Sequence, residues 1–228
     1  MIHFEIAGRG PAVLLTHGFT GSSADFAKLV GPLAADHTVV TWDLRGHGRS
    51  DSPDDPAEYS VDLSLADMAS LLDRAGAERA ILVGHSLGGY LTLAFHLAHP
   101  ERVAGLILIG TGPGYRKDEG RAVWNKMVED RARAFEAKGP HARGLALAAR
   151  GILAQRDARV IESLPKIRVP TLILVGEHDT TFLAGSRYMA EKIPGAVLEV
   201  IAGAGHSPQE SHAEELLRAA APYFARSM

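Results

Sequence analysis

No cysteine occurs in this chain of 228 residues, so disulfides and cysteine-ligated metal sites are excluded. Charge of one sign is scarce as well. Lys and Arg number 24 against 27 Asp and Glu, a formal net charge of −3, which argues against nucleic acid or an anionic membrane as the main partner. No apolar run approaches the roughly 18–20 residues of a membrane-spanning helix. The opening Met1-Ile2-His3-Phe4-Glu5 has no basic stretch leading into an apolar core, so no signal peptide is expected. With cysteine also missing, the expectation is a cytoplasmic protein. Internal repeats and low-complexity tracts are lacking too. What is present is an apolar fraction of 46% and a charged fraction of 22%. That composition suits one soluble α/β domain with a sizeable core and room for a modest insertion.

Strand-like runs alternate with helix-like segments. Ile2 to Ile6 and Ala12 to Thr16 make a first pair, joined by a Gly8-Arg9-Gly10-Pro11 turn. Further strands are expected at Thr38 to Trp42, Ala80 to Val83, Val103 to Ile109, Thr171 to Val175 and Val197 to Ile201. Amphipathic segments such as Leu63 to Ala75 and Leu87 to Ala98 lie between them. This alternation predicts an α/β fold, a mostly parallel twisted sheet with helices on both faces. Residues 112–165 break the pattern, with no convincing strand. Trp124, Met127, Val128, Arg131 and Phe135 recur there at helical spacing, and a second apolar helical run covers Leu145 to Leu153. The expectation is a core domain of residues 1–111 and 166–228, with 112–165 as a small helical cap above the strand ends.

The densest chemical signal is Gly84-His85-Ser86-Leu87-Gly88-Gly89, between a predicted strand and a predicted helix. Glycines at two-residue spacing on either side of Ser86 let the chain turn sharply where side chains would collide. The serine is then forced into a strained conformation that exposes its hydroxyl. A serine hydroxyl is a poor nucleophile at neutral pH and needs a base. The base needs a third group to set its tautomer and stabilise the imidazolium. Of 11 histidines, His206 is the candidate base, because it lies in a glycine-rich loop just past a strand, where open α/β sheets carry their sites. His96 and His99 fall on the helix after the serine, and His37, His141 and His212 read as surface positions. Asp179, just past another strand, is the candidate acid. Glu177 is its nearest rival but sits in the turn itself, and the point after the preceding strand, Ile109-Gly110-Thr111-Gly112, has no carboxylate. Asp43 follows a strand too, but Arg45 and Gly46-His47-Gly48 suggest a structural salt-bridge or hydrogen-bond role. Backbone N–H groups of Leu87 and Phe19 are the candidate oxyanion hole, with Gly18 letting the second loop pass close to the serine and the Phe19 ring walling the acyl pocket. His85, Trp124, Met127 and Phe182 are candidate pocket residues.

These motifs resemble the α/β-hydrolase fold superfamily over the whole chain. The residues that carry the likeness are His17-Gly18-Phe19, Asp43-Leu44-Arg45-Gly46-His47-Gly48-Arg49-Ser50, the Ser86 turn, Gly176-Glu177-His178-Asp179 and Gly205-His206. Serine, aspartate and histidine follow in the superfamily's order. The short N-terminus implies a clipped antiparallel hairpin at the sheet edge. The short cap implies an open site suited to small esters. The resemblance implies hydrolysis of a small-molecule carboxylic ester through an acyl-enzyme, with no cofactor and no metal; monomer and dimer are both compatible with it. A lactone, or a carbon–carbon bond in a ring-cleavage diketone, uses the same triad and stays open. So does a slow-turnover ligand-binding receptor of this fold. A serine rather than an aspartate at residue 86 sets aside dehalogenase and epoxide-hydrolase chemistry.

Overall fold

The computed structural model describes residues 1–225. Its seven strands are β1 (Phe4–Ala7), β2 (Ala12–Thr16), β3 (Thr38–Trp42), β4 (Ala80–His85), β5 (Val103–Ile109), β6 (Thr171–Gly176) and β7 (Val197–Ile201). They form one sheet in the order β1-β3-β2-β4-β5-β6-β7. All neighbours are parallel except β1, which runs antiparallel to β3. The expected first pair is therefore corrected: β1 does not join β2. Strand β2 has both edges occupied, by β3 and β4, so the N-terminal strand takes the free edge beyond β3. The chain returns at Gly8 and Gly10, both at positive φ, where a Cβ would stand 2.3 Å from the His37 carbonyl oxygen and 2.1 Å from that of Asp36. Only glycine fits such an approach.

The central strands are apolar on both faces because helices cover both. Leu14, Leu82, Leu106, Leu108 and Ile173 point to one layer, where they meet helices α2 (Val61–Arg74) and α3 (Leu87–Ala98) through Met68, Leu72, Leu91 and Phe95. Val13, Leu15, Ile81, Val83, Ile107, Ile109, Leu172 and Leu174 point to the other, against Leu29 and Leu33 of α1 (Ala27–Leu33) and Leu216, Ala220 and Phe224 of a C-terminal helix over Ala213–Phe224. Each strand thus splits its alternate residues between two cores. Between β5 and β6 the chain is helical. The first helix there, Asp118–Glu136, packs on a shorter one, Arg143–Ala148, which runs on into a π-helical turn over Ala149–Leu153. Arg150 in that turn is clamped by Glu129 and Glu136 of the long helix.

Parallel strands end at one edge of the sheet, so the residues that follow them gather there. His17 follows β2, Ser86 follows β4, Gly110 and Thr111 follow β5, Asp179 follows β6 and His206 follows β7.

Candidate active site

Ser86 has φ 53° and ψ −115°, a region that costs a non-glycine residue about 1–3 kcal/mol. Four hydrogen bonds hold it there. Its N–H donates to the Ile109 carbonyl at 2.9 Å. Its own carbonyl accepts from Thr111 Oγ1 at 2.6 Å and from the Gly89 and Tyr90 N–H groups at 3.0 and 3.2 Å. The glycines act as expected from their spacing. A Cβ on Gly84 would lie 2.4 Å from the Gly88 carbonyl oxygen, and one on Gly88 2.0 Å from that of Thr16. Helix α3 begins directly after the serine, so its first N–H groups and dipole face the same region.

The His17–Phe19 loop is held against this turn from beneath. The Leu44 N–H donates to His17 Nε2 at 2.9 Å, which puts the ring proton on Nδ1, where it donates to the Gly18 carbonyl at 2.7 Å. Burial, with His47 beside it, pushes the His17 imidazole down to about 3, so it stays neutral. Asp43 accepts the Ser23 and Arg49 N–H groups at 2.6 and 2.8 Å. Burial acts to raise its carboxyl, but those bonds outweigh it and hold it below the usual range. Its role is thus hydrogen bonding; Arg45 pairs instead with Asp67 and Glu58. A Cβ on Gly18 would stand 3.0 Å from Ser86 Cβ and 2.9 Å from His85 Nδ1, so this backbone passes directly beside the serine. The Phe19 ring turns away from the cavity, packing edge-on against His47 and Phe135.

His206 Nδ1 donates to Asp179 Oδ2 at 2.8 Å, and Asp179 Oδ1 accepts the Phe182 N–H at 3.2 Å. Asp179 is 4% exposed. Burial raises its carboxyl, but the His206 bond and charge and the Phe182 and Thr181 amides outweigh it, for a net lowering. The imidazole side chain of His206 is 43% exposed. Phe182 stacks on it at 5.1 Å between centroids and 16° between planes. His85 lies on another side at 4.7 Å, and its Nε2 donates to the His206 carbonyl at 2.9 Å. A carbonyl only accepts, so the His85 proton sits on Nε2; burial, with His206 beside it, pushes this ring down to about 4. Glu177 is occupied elsewhere, accepting the Gly203 N–H at 2.9 Å.

A cavity of about 290 Å³ opens at Ser86, lined by Leu87, Tyr90, Thr111, Trp124, Leu153, Gln155 and Phe182 among others. Of the candidate pocket residues, Trp124 and Phe182 line it. His85 lies behind the turn, and Met127 is outside, 36% exposed. Its neighbour Val128 is the residue that turns inward, since the buried stripe of this helix runs through Val128 and Ala132. His37, expected at the surface, is 4% exposed, with its ring 5.6 Å from that of Phe224. Tyr90, Gln155 and Thr111 had no motif to announce them. A larger cavity of about 450 Å³ also borders Tyr90, and no histidine among the described residues lines it.

Comparison with known proteins agrees with this architecture. A pimeloyl-[acyl-carrier protein] methyl ester esterase of Chromobacterium violaceum is 30% identical over 96% of each chain. A putative 2-succinyl-6-hydroxy-2,4-cyclohexadiene-1-carboxylate synthase of Bacillus subtilis is 27% identical over 90% of this chain and 89% of its own. The structure of a thermophilic esterase from Thermogutta terrifontis, with malate bound, superposes with a TM-score of 0.86 at 28% identity, covering 99% of this chain and 93% of that one. The family model described as alpha/beta hydrolase fold matches residues 11–159, and the chain belongs to that family.

Proposed function

We propose that the protein hydrolyses carboxylic esters of small or medium acyl groups through an acyl-enzyme on Ser86. The observation that carries the reading is the His206–Asp179 hydrogen bond at 2.8 Å, in loops that adjoin the strained serine. A buried, ionised Asp179 keeps the His206 proton on Nδ1 and leaves Nε2 as the base. Ser86 Oγ attacks the ester carbonyl carbon as His206 Nε2 takes its proton. The Leu87 and Phe19 N–H groups receive the oxyanion. The tetrahedral intermediate collapses, the C–O bond to the alcohol breaks, and His206 returns the proton to the departing oxygen. A water then attacks the acyl-enzyme, again giving its proton to His206, and the acid is released. The exposure of the His206 ring supports that second step, since solvent has access to it. We read residues 112–165 as a cap that carries the pocket wall, through Trp124, Leu153 and Gln155.

The names of the two esterase relatives agree with this chemistry. The test is covalent labelling with a fluorophosphonate alongside turnover of a short p-nitrophenyl ester. Labelling and turnover are expected in the native protein and absent in Ser86→Ala. Labelling that persisted in Ser86→Ala would remove the serine from its role. Cleavage of a vinylogous diketone without any ester turnover would move the activity to carbon–carbon hydrolysis.

A further inference from the structure

Gln155 follows the π-helical turn and lines the cavity that opens at Ser86. Three of its four polar groups are committed. Its N–H donates to Asn125 Oδ1 at 2.8 Å, and its carbonyl accepts from Asn125 Nδ2 at 2.8 Å. One side chain of the long helix thus clamps its main chain on both sides. Its side-chain Oε1 accepts the Tyr115 N–H at 3.1 Å. Only an oxygen can face that N–H, which fixes the orientation of the amide. The Nε2 group is left with no partner among the described residues, on a side chain of a residue only 9% exposed. Two other donors nearby are occupied, Thr111 Oγ1 on the Ser86 carbonyl and Trp124 Nε1 on that of Leu153; the hydroxyls of Tyr90, Tyr115 and Thr181 also line the cavity, but unlike them the Gln155 amide is fixed in orientation at its other end. Among the described residues, no Lys, Arg, Asp or Glu lines the cavity.

A held, unpartnered amide donor in an uncharged and mostly apolar cavity is costly to cover with hydrocarbon. It is matched by a neutral oxygen acceptor, and it discriminates against a ligand that lacks one. A carboxylate is disfavoured, because no cation there would compensate its desolvation. We propose that Gln155 Nε2 is a recognition donor for a second, neutral carbonyl oxygen in the substrate, so that the preferred class is keto esters or diesters rather than plain alkyl esters. The reaction at Ser86 is the ester hydrolysis proposed above, and the substrate class rests on that reading.

The test compares plain and keto esters of matched length at pH 8. Methyl esters with a keto group two to five carbons from the ester carbonyl probe the acyl side. Keto-substituted alkyl acetates probe the alcohol side. In the native protein one of the keto series is expected to exceed its plain partner in kcat/KM by about tenfold, the reach of one neutral hydrogen bond. Gln155→Glu keeps an oxygen for the Tyr115 N–H and replaces the donor by an acceptor, so the preference should reverse. Gln155→Met should bring the ratio of keto to plain ester to one, a ratio read within the variant whatever its absolute rate. Calorimetric binding of the same esters to Ser86→Ala reads the donor without the chemistry. If no ester is turned over but the keto ester still binds more tightly, the esterase reading fails and the recognition site stands. Equal binding and equal turnover of keto and plain esters, or a preference that survives in both Gln155 variants, overturns the proposal.

Discussion

Acid should unfold this protein well above the pH at which its carboxylates titrate. Three imidazoles are held neutral by their surroundings. Burial pushes His17 down to about 3, and His47 and His85 down to about 4. The geometry agrees with the direction. Protonating His17 Nε2 would expel the Leu44 N–H that it accepts. His47 Nδ1 donates to the Arg45 carbonyl, leaving Nε2 buried with no partner among the described residues. His85 Nδ1 is buried in the same way. In the unfolded chain each ring titrates near the ordinary imidazole value of 6.5. The unfolded state therefore binds more protons below that value, and stability falls as pH falls. Above about pH 7.5 both states are neutral and the difference vanishes. At pH 5, still above all three folded values, each ring costs about 2 kcal/mol, or about 6 kcal/mol together. Carboxylates contribute little down to that pH, because their unfolded values lie near 4. A loss of about 6 kcal/mol is comparable with the whole stability of many domains, about 5–15 kcal/mol. Urea denaturation followed by far-ultraviolet circular dichroism between pH 8 and 5 measures it. His47→Gln should recover about a third of the pH-dependent loss, whatever it costs at pH 8. A stability curve flat between pH 8 and 5.5, or a proton resonance of any of the three rings titrating near pH 6.5 in the folded protein, would show that these rings do not govern acid stability.

Asp179→Asn keeps the shape of the acid but lets His206 adopt the wrong tautomer; kcat for a short ester should fall by about 10³–10⁴, with the melting temperature changed little, and a loss under tenfold would assign the acid elsewhere. Gly18→Ala places a methyl 3.0 Å from Ser86 Cβ and shifts the loop proposed to offer the Phe19 N–H. Its kcat should fall by about 10²–10³, the cost of one oxyanion donor, while KM for the same ester changes little; unaltered kcat would separate that loop from catalysis. Tyr90 borders both the Ser86 cavity and the larger one behind it. Tyr90→Ala should join them and move the optimum of a p-nitrophenyl ester series to longer acyl chains, and an unchanged optimum would show that the second cavity does not communicate with the first.

Parallel strands announce themselves because burial on both faces leaves continuous apolar runs, and β2, β3 and β5 lie at their expected residues. The N-terminal strand misleads because adjacency in sequence suggests a hairpin, whereas the pairing is decided by which edges of β2 are free. The residues proposed to react are legible as a cluster for a related reason: each follows a strand, and parallel strands end together. Pocket residues are not. On the long helix, Met127 and Val128 are both apolar and adjacent, and a rotation of 100° between them decides which faces inward. Gln155 sits outside any periodic element, in the chain that leaves a π-helical turn. Its position depends on Asn125, thirty residues away, and on a hydrogen bond to Tyr115 that no local pattern encodes. His37 and His85 look like any other histidine until the tertiary fold encloses them.

The loop after β5 shows how an absence in the sequence becomes a structural requirement. Its lack of a carboxylate at first only narrows the choice of acid. In three dimensions, Gly110 has φ +49, and a Cβ there would lie 2.8 Å from the His206 carbonyl oxygen and 3.2 Å from Asp179 Oδ2. The histidine–aspartate pair can close over this point because nothing projects from it. One residue on, Thr111 donates to the Ser86 carbonyl, and its side chain fills the space that a Cβ on Gly89 would enter at 2.5 Å. The same dipeptide therefore admits His206, the proposed base, from one side and holds the strained serine from the other. With Asp179, the proposed acid, after β6, the loop after β5 is free to serve as this spacer. An acidic side chain at Gly110 would occupy the space of the pair that it was meant to support.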